Sequence, residues 1–134
     1  MNQNGTIYKE IESGGHKYQV YPVTGRTACH LDRKVTDLAF GLKYSAGSKE
    51  ELGMMIVHAF AEMQEYDFDK IVEQTLYNVV RIGNEGEGNV RVTSDNVYDF
   101  FVGDIDGLYG LLTQIWEVYE LTPFKKARTL NTGA

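Results

Sequence analysis

HKYQVYPVTGRTACHLDRKVTDLAFGL, residues His16–Leu42, decides how the rest of the chain is read. Lys17–Val23 alternates apolar and polar residues, the period of a half-buried strand. Pro22 suits a strand end, because it has no N–H to give to a ladder. Thr24 then stands as a helix cap. From there Ala28, Leu31, Val35, Leu38, Ala39 and Leu42 recur in steps of three and four, which sets them on one stripe of a helix. A strand therefore runs through one turn into an amphipathic helix. No set of nucleophile, base and metal ligands accompanies it, a pattern that suits a small adaptor better than an enzyme.

Upstream, Ile7–Ile11 alternates in the same way, and Ser13-Gly-Gly15 is a turn signal. The spacing predicts a β-hairpin over about 7–23 with its loop at Glu12–His16. Downstream, Lys43–Gly47 breaks the helical pattern. Ser48-Lys-Glu-Glu51 has the form of a capping box, opening a second helix with Leu52, Met55, Ile56, Ala59, Phe60 and Met63 on one face. A third stripe runs through Phe68, Ile71, Val72, Leu76, Val79 and Val80. Gly83–Gly88 holds three glycines and reads as a loop. Val90–Val92 reads as either a short strand or an extended link. Ser94-Asp95 opens a further helical piece with Val97, Phe100 and Phe101 on its apolar side. After Gly103, Asp104 begins a last helix that runs to about Leu121, and Pro123 stops it.

That last helix is unusually wide on its apolar side. Leu108, Tyr109, Leu111, Leu112, Ile115, Trp116, Val118 and Tyr119 spread over roughly half of the circumference, where a surface helix needs a stripe of about 100°. Either it is central and packs against two neighbours, or one edge near Leu111 and Val118 is left for a second protein.

The chain has 134 residues, 43% of them hydrophobic, which is one domain's length and excludes wholesale disorder. We expect a mainly α fold with a small N-terminal β-hairpin: about four to five helices in one compact domain over 1–122, then a basic tail over 123–134. Residues 1–122 carry ten basic and nineteen acidic side chains, net −9, whereas the tail carries three basic and no acidic ones, net +3. The acidic body disfavours nucleic acid as a partner and suits charge-guided protein contact. No apolar run is long enough to span a membrane, and the N-terminus lacks the pattern of a signal peptide. Cys29 is the sole cysteine, so an intrachain disulfide is excluded.

The candidates for chemistry are weak. His58 and Glu62 share a helix face but make no metal site by themselves. Cys29 and His30 are adjacent, about 100° apart on a helix, which is a poor dyad. Asp104-Ile-Asp-Gly107 begins like a calcium loop, yet the later ligands are missing. Gly83–Gly88 lacks the Lys-Ser/Thr of a phosphate loop. Arg26, Arg33 and Lys34, beside Asp32 and Asp37, read as a solvated face with local ion pairs. We expect no catalytic, cofactor-binding or metal-binding residues.

The order of elements, with "PVTGRTACHLDRKVTDLAFGL" after a hairpin and "MQEYDFDKIVEQTLYNVVR" before a final aromatic helix, resembles the tail assembly chaperones of long-tailed bacteriophages. In that family a "pl-ta-r-a--l--kl" pattern precedes a "l---dfd-ii---L--v" pattern, matched here by Phe68-Asp-Lys-Ile71 and Leu76–Val80. The likeness covers roughly residues 15–121, and the acidic, Gly-bearing loop 83–89 departs from it. The resemblance implies a scaffold in the host cytoplasm that binds the tape-measure protein, recruits tail-tube subunits and leaves the mature particle. It also implies that there is no catalysis and no cofactor. Many such proteins are made in a longer, frameshifted form as well. Phe124-Lys-Lys126 is the place to look for a slippery adenine run, and lysine codons without one would count against it.

Partner contacts are expected from Leu111, Trp116, Val118 and Tyr119, with Phe124, Lys125 and Lys126 leading into any extension. Self-association is left open. Three other readings stay in play: an acidic regulatory or inhibitory binder, marked by acids clustered on one face; a small enzyme, marked by a closed polar pocket; and a virion tail component, marked by presence in purified particles.

Overall fold

A computed structural model describes residues 8–41, 54 and 58–123. In chain order the elements are β1 (Lys9–Ser13), β2 (His16–Val20), α1 (Gly25–Gly41), a helical segment at 58–62, α2 (Glu65–Thr75), β3 (Val79–Arg81), β4 (Val90–Val92), a 3-10 helix (Val97–Phe101) and α3 (Ile105–Val118). The capping box at Ser48–Glu51 and the apolar positions Leu52, Met55 and Ile56 lie outside the described residues.

The expected mainly α fold with an isolated hairpin is corrected. The hairpin is half of a four-stranded antiparallel sheet of order β1-β2-β3-β4. Val79 and Val80, read from spacing as the end of a helical stripe, form a strand with Arg81. They pair with Val20 and Gln19 on one side and with Val92 and Arg91 on the other. β-branched side chains are restricted against a helical turn and suit a pleated surface. α2 therefore ends at Thr75, and the Gly-rich segment becomes the loop of the β3–β4 hairpin. The architecture is α+β, with helices on one face of the sheet.

The first hairpin turns more tightly than expected. Its loop is Gly14-Gly15 alone, with φ of 60° and 82°. Positive φ at both central residues is the requirement of a type I′ turn, which matches the twist of the strands it joins. A side chain at Gly14 would also meet the Phe101 ring, at about 3.0 Å from the new Cβ.

The register sorts the faces. Tyr18, Val20, Val79 and Val92 point to one side and are buried, while Glu10, Glu12, Lys17 and Arg91 point to the other and are exposed. The buried row joins Leu31 and Val35 of α1, Ile71, Val72 and Leu76 at α2, and Leu108, Leu111, Leu112, Ile115 and Trp116 of α3 in one core. The width of the last helix is thereby explained: α3 packs against β1, the 3-10 helix and α2. Its side chains also hold the sheet edge. Gln114 Nε2 donates to the Glu12 carbonyl at 3.1 Å, and Ser13 Oγ donates to the Gly107 carbonyl at 2.9 Å. On the opposite edge, Asn96 Nδ2 donates to the Arg91 carbonyl at 3.0 Å. Covered edges of this kind discourage strand-to-strand association.

α3 starts on Asp104, whose carboxylate accepts the Gly107 N–H at 3.0 Å. It ends in a Schellman motif: the Leu121 N–H reaches the Trp116 carbonyl and the Glu120 N–H reaches the Glu117 carbonyl. Glu120 sits at the left-handed position with φ 56°, where an L side chain is disfavoured. Glu120→Gly is therefore expected to raise unfolding free energy by about 1 kcal/mol in urea melts, the opposite of the usual effect of glycine.

Candidate interaction surface

The residues expected at a partner surface divide into three groups. Leu111 and Trp116 are 0% exposed, so they are core and cannot meet a partner in this fold. Val118 and Tyr119 are half-buried at the C-terminal turn of α3. Phe124, Lys125 and Lys126 lie outside the described residues. The correction has a plain cause: the most apolar positions of a helix are the ones that burial claims first.

Polar partners lock Trp116 and Tyr119 in place. The Trp116 indole N–H donates to Thr75 Oγ1 at 2.7 Å, and the Tyr119 hydroxyl donates to the Thr75 carbonyl at 2.9 Å. Thr75, itself 0% exposed, thus ties the end of α2 to the end of α3. Burial, and then the neighbouring Tyr77, push the Tyr119 hydroxyl well above its ordinary value, so it remains a neutral donor.

The chain leaves α3 over a second clamp. Both oxygens of Asp32 on α1 are engaged by Thr122, one with its N–H at 2.7 Å and one with its hydroxyl at 2.9 Å. Asp32 is therefore an anchor for the C-terminal exit rather than only a member of a solvated charge face.

The Gly-rich loop 83–89 is ordered by its own side chains. Gly83 N–H donates to Asn89 Oδ1, and Asn84 N–H donates to Glu87 Oε1 at 2.9 Å. It docks on the first hairpin through His16, whose Nε2 lies 3.0 Å from Asn84 Nδ2, 2.8 Å from Arg81 Nη2 and 3.7 Å from Glu87 Oε1. The Arg81 guanidinium lies over the Phe100 ring at 4.4 Å. The Asn84 N–H holds the Glu87 carboxyl below its ordinary value. A depressed carboxylate stabilises the fold above its unfolded value and loses that contribution as pH falls through its folded one. An NMR titration should therefore show the Asn84 amide proton following the Glu87 carboxylate, and Glu87→Gln should abolish that titration.

Among the described residues, no group of three or more His, Cys, Asp or Glu is placed to hold a metal ion. Cys29 is exposed, and no described helix is long and apolar enough to cross a membrane.

A concave surface lies along the outer side of α2. Two adjoining hollows of about 280 and 400 Å³ share Asp69 and Tyr98. The smaller has an aromatic floor of Phe60, Phe68 and Tyr109, with Met63 and Glu65 beside it. Phe60 organises that floor, with ring centroids 5.1 Å from Phe68 and 5.2 Å from Tyr109. The larger runs between Tyr66, Lys70 and Glu73 of α2 and Ser94-Asp95 ahead of the 3-10 helix. Tyr66 is 69% exposed and Tyr98 39%. Partial burial, and then the Asp69 carboxylate, raise the Tyr98 hydroxyl above its ordinary value. Among the described residues Lys70 is the one cation lining the groove, and it is held 3.7 Å from Glu73 and over the Tyr66 ring. Glu65, Asp69 and Asp95 have no salt-bridge partner among the described residues.

A further cleft of about 430 Å³ between α1 and α2 mixes Lys34 and Lys70 with Asp37, Glu62 and Asp67, and so favours neither sign of charge. Acidic residues also occur on β1, in loop 83–89 and at the start of α3, so the acids are not gathered on one face. The aromatic groove was missed from sequence because its walls come from segments about thirty residues apart. The available signal was Tyr66 between Glu65 and Asp67, an aromatic residue flanked by acids on the outer side of the third stripe.

Compared with known proteins, residues 14–125 match a family model described as phage tail assembly chaperone protein, TAC. No curated protein and no solved structure matches.

Proposed function

The chain belongs to the phage tail assembly chaperone family, and from that premise we propose that it binds the tape-measure protein of its phage and helps recruit tail-tube subunits to it. The observation that carries this reading is the family match, which spans most of the chain. A non-catalytic role in the host cytoplasm, without a cofactor, follows from the same reading.

The groove along α2 suits such a task. It offers aromatic surface rimmed by carboxylates, the combination by which a folded domain holds an apolar segment and keeps it in register by charge. The C-terminal segment adds a second element to the proposal. Asp32 holds Thr122 just after α3, and partner contacts by Val118, Tyr119, Phe124, Lys125 and Lys126 belong to the same proposal. Leu111 and Trp116 serve the fold.

Co-expression tests the function. The tape-measure protein of the same phage should move from the insoluble to the soluble fraction when this chain is made with it. A tape-measure protein that aggregates equally with and without the chain contradicts the proposal.

A further inference from the structure

We infer that the groove between α2 and the 3-10 helix is built for a cationic amphipathic helix, about two turns of which lie across Tyr98. The inference rests on the chaperone reading and adds the chemistry of the bound segment and the place where it sits.

Three observations lead to it. The first is charge: Glu65, Asp69 and Asp95 line the groove without a salt-bridge partner among the described residues, and Lys70 is already engaged by Glu73 and Tyr66. A neutral or acidic ligand would leave Glu65 and Asp95 unmatched as water is displaced, and Asp69, which shares a hydrogen bond with Tyr98, would still lack a cation, whereas Lys and Arg would neutralise all three. The second is apolar surface: Phe60, Phe68 and Tyr109 floor one hollow, and the exposed Tyr66 lines the adjoining one. The third is the state of the sheet edges. The Glu12 and Arg91 carbonyls on the two outer strands are taken by Gln114 and Asn96, which disfavours addition of a strand at those positions and favours a groove-bound helix over a strand.

Geometry sets the length. Glu65 to Glu73 is nine residues of α2, separated by eight helical rises or about 12 Å, enough to contact about two turns of a partner helix. Apolar residues three and four apart would face the aromatic floor, and basic residues on either flank would face Asp69 and Asp95.

The test uses the full chain and a fluorescein-labelled 15-residue helix with a leucine stripe flanked by lysines. Its companions are a scrambled peptide of the same composition and a version with glutamate for lysine, and binding is read by anisotropy. The striped lysine peptide should bind about tenfold or more tightly than the scramble, and the glutamate version should not bind. Asp69→Lys with Asp95→Lys should weaken the striped peptide about tenfold or more, and Tyr98→Ala should weaken it as well. Glu10→Lys with Glu12→Lys, on the outer face of the sheet, should leave binding unchanged. Circular dichroism melts confirm that each variant is folded.

Equal binding of striped and scrambled peptides, or equal loss from the sheet-face reversals, would reduce the effect to general charge attraction and overturn the inference. Tape-measure capture that survives Asp69→Lys with Asp95→Lys would also overturn it while leaving the chaperone reading intact. Failure of the wild-type chain to capture the tape-measure protein would remove the chaperone reading itself.

Discussion

Trp116→Ala should destabilise the protein by about 3–5 kcal/mol, the cost of removing a large side chain from a packed core. Trp116 is fully buried, its ring lies 5.7 Å from that of Phe60, and its indole N–H donates to Thr75. The substitution therefore leaves a cavity where α2, α3 and the aromatic cluster meet, and it removes the donor that Thr75 Oγ1 accepts from. Against a total stability of about 5–15 kcal/mol for a domain of this size, that is a large fraction. Urea denaturation followed by far-UV circular dichroism measures it, and Leu111→Ala should follow with about 2–5 kcal/mol. If instead either variant kept its denaturation midpoint and lost only partner binding, the residue would belong to a surface, as the breadth of the helix allows when read from sequence alone.

Val79→Asp should be nearly as damaging, while Val80→Asp, on the outer face of the sheet, should cost only about 1 kcal/mol. The pair separates two ways of folding one segment. As the end of a helix, both valines would belong to the same apolar stripe. As a strand, they point to opposite faces, and Val79 is fully buried between Val20 and Val92 whereas Val80 shares the outer face with Gln19 and Arg91. A carboxylate at Val79 would sit among apolar side chains and cost several kcal/mol, with the variant's pH–stability curve rising toward acid as the group is neutralised. Comparable losses at both positions would favour the helical reading.

Those two valines also show where the sequence stops being legible. The steps from Val72 to Leu76 and on to Val79 keep helical spacing, and neither Gly nor Pro marks the break. The chain nonetheless leaves the helix at Leu76, with ψ of 43°, because a third strand gains pairing on both sides from β2 and β4. Local pattern cannot register that gain, since half of it comes from the distant first hairpin. The Asp32–Thr122 clamp and the Gln114–Glu12 bond, 90 and 102 residues apart in sequence, are hidden for the same reason. What was local was readable: a turn at Ser13-Gly-Gly15, though with a tighter loop than Glu12–His16, the buried Leu31 and Val35 of α1, and the Asp104 cap of α3.

The surface was less legible than the fold. Apolar width on the last helix signalled importance without saying whether for the core or for a partner, and the core claimed Leu111 and Trp116. The groove depends on Tyr98 of the 3-10 helix coming beside Asp69 of α2. Neither residue stands out in its own segment. Only their meeting, over a floor made by Phe60, Phe68 and Tyr109, turns an acidic helix face into a place where an apolar segment can rest.

The most direct measurement is a pull-down between the purified chain and the tape-measure protein of the same phage, at low and high salt. A stoichiometric complex is expected that weakens as salt screens the groove's carboxylates and that is weakened about tenfold or more by Asp69→Lys with Asp95→Lys. No complex with the wild-type chain at low salt would contradict the proposed function.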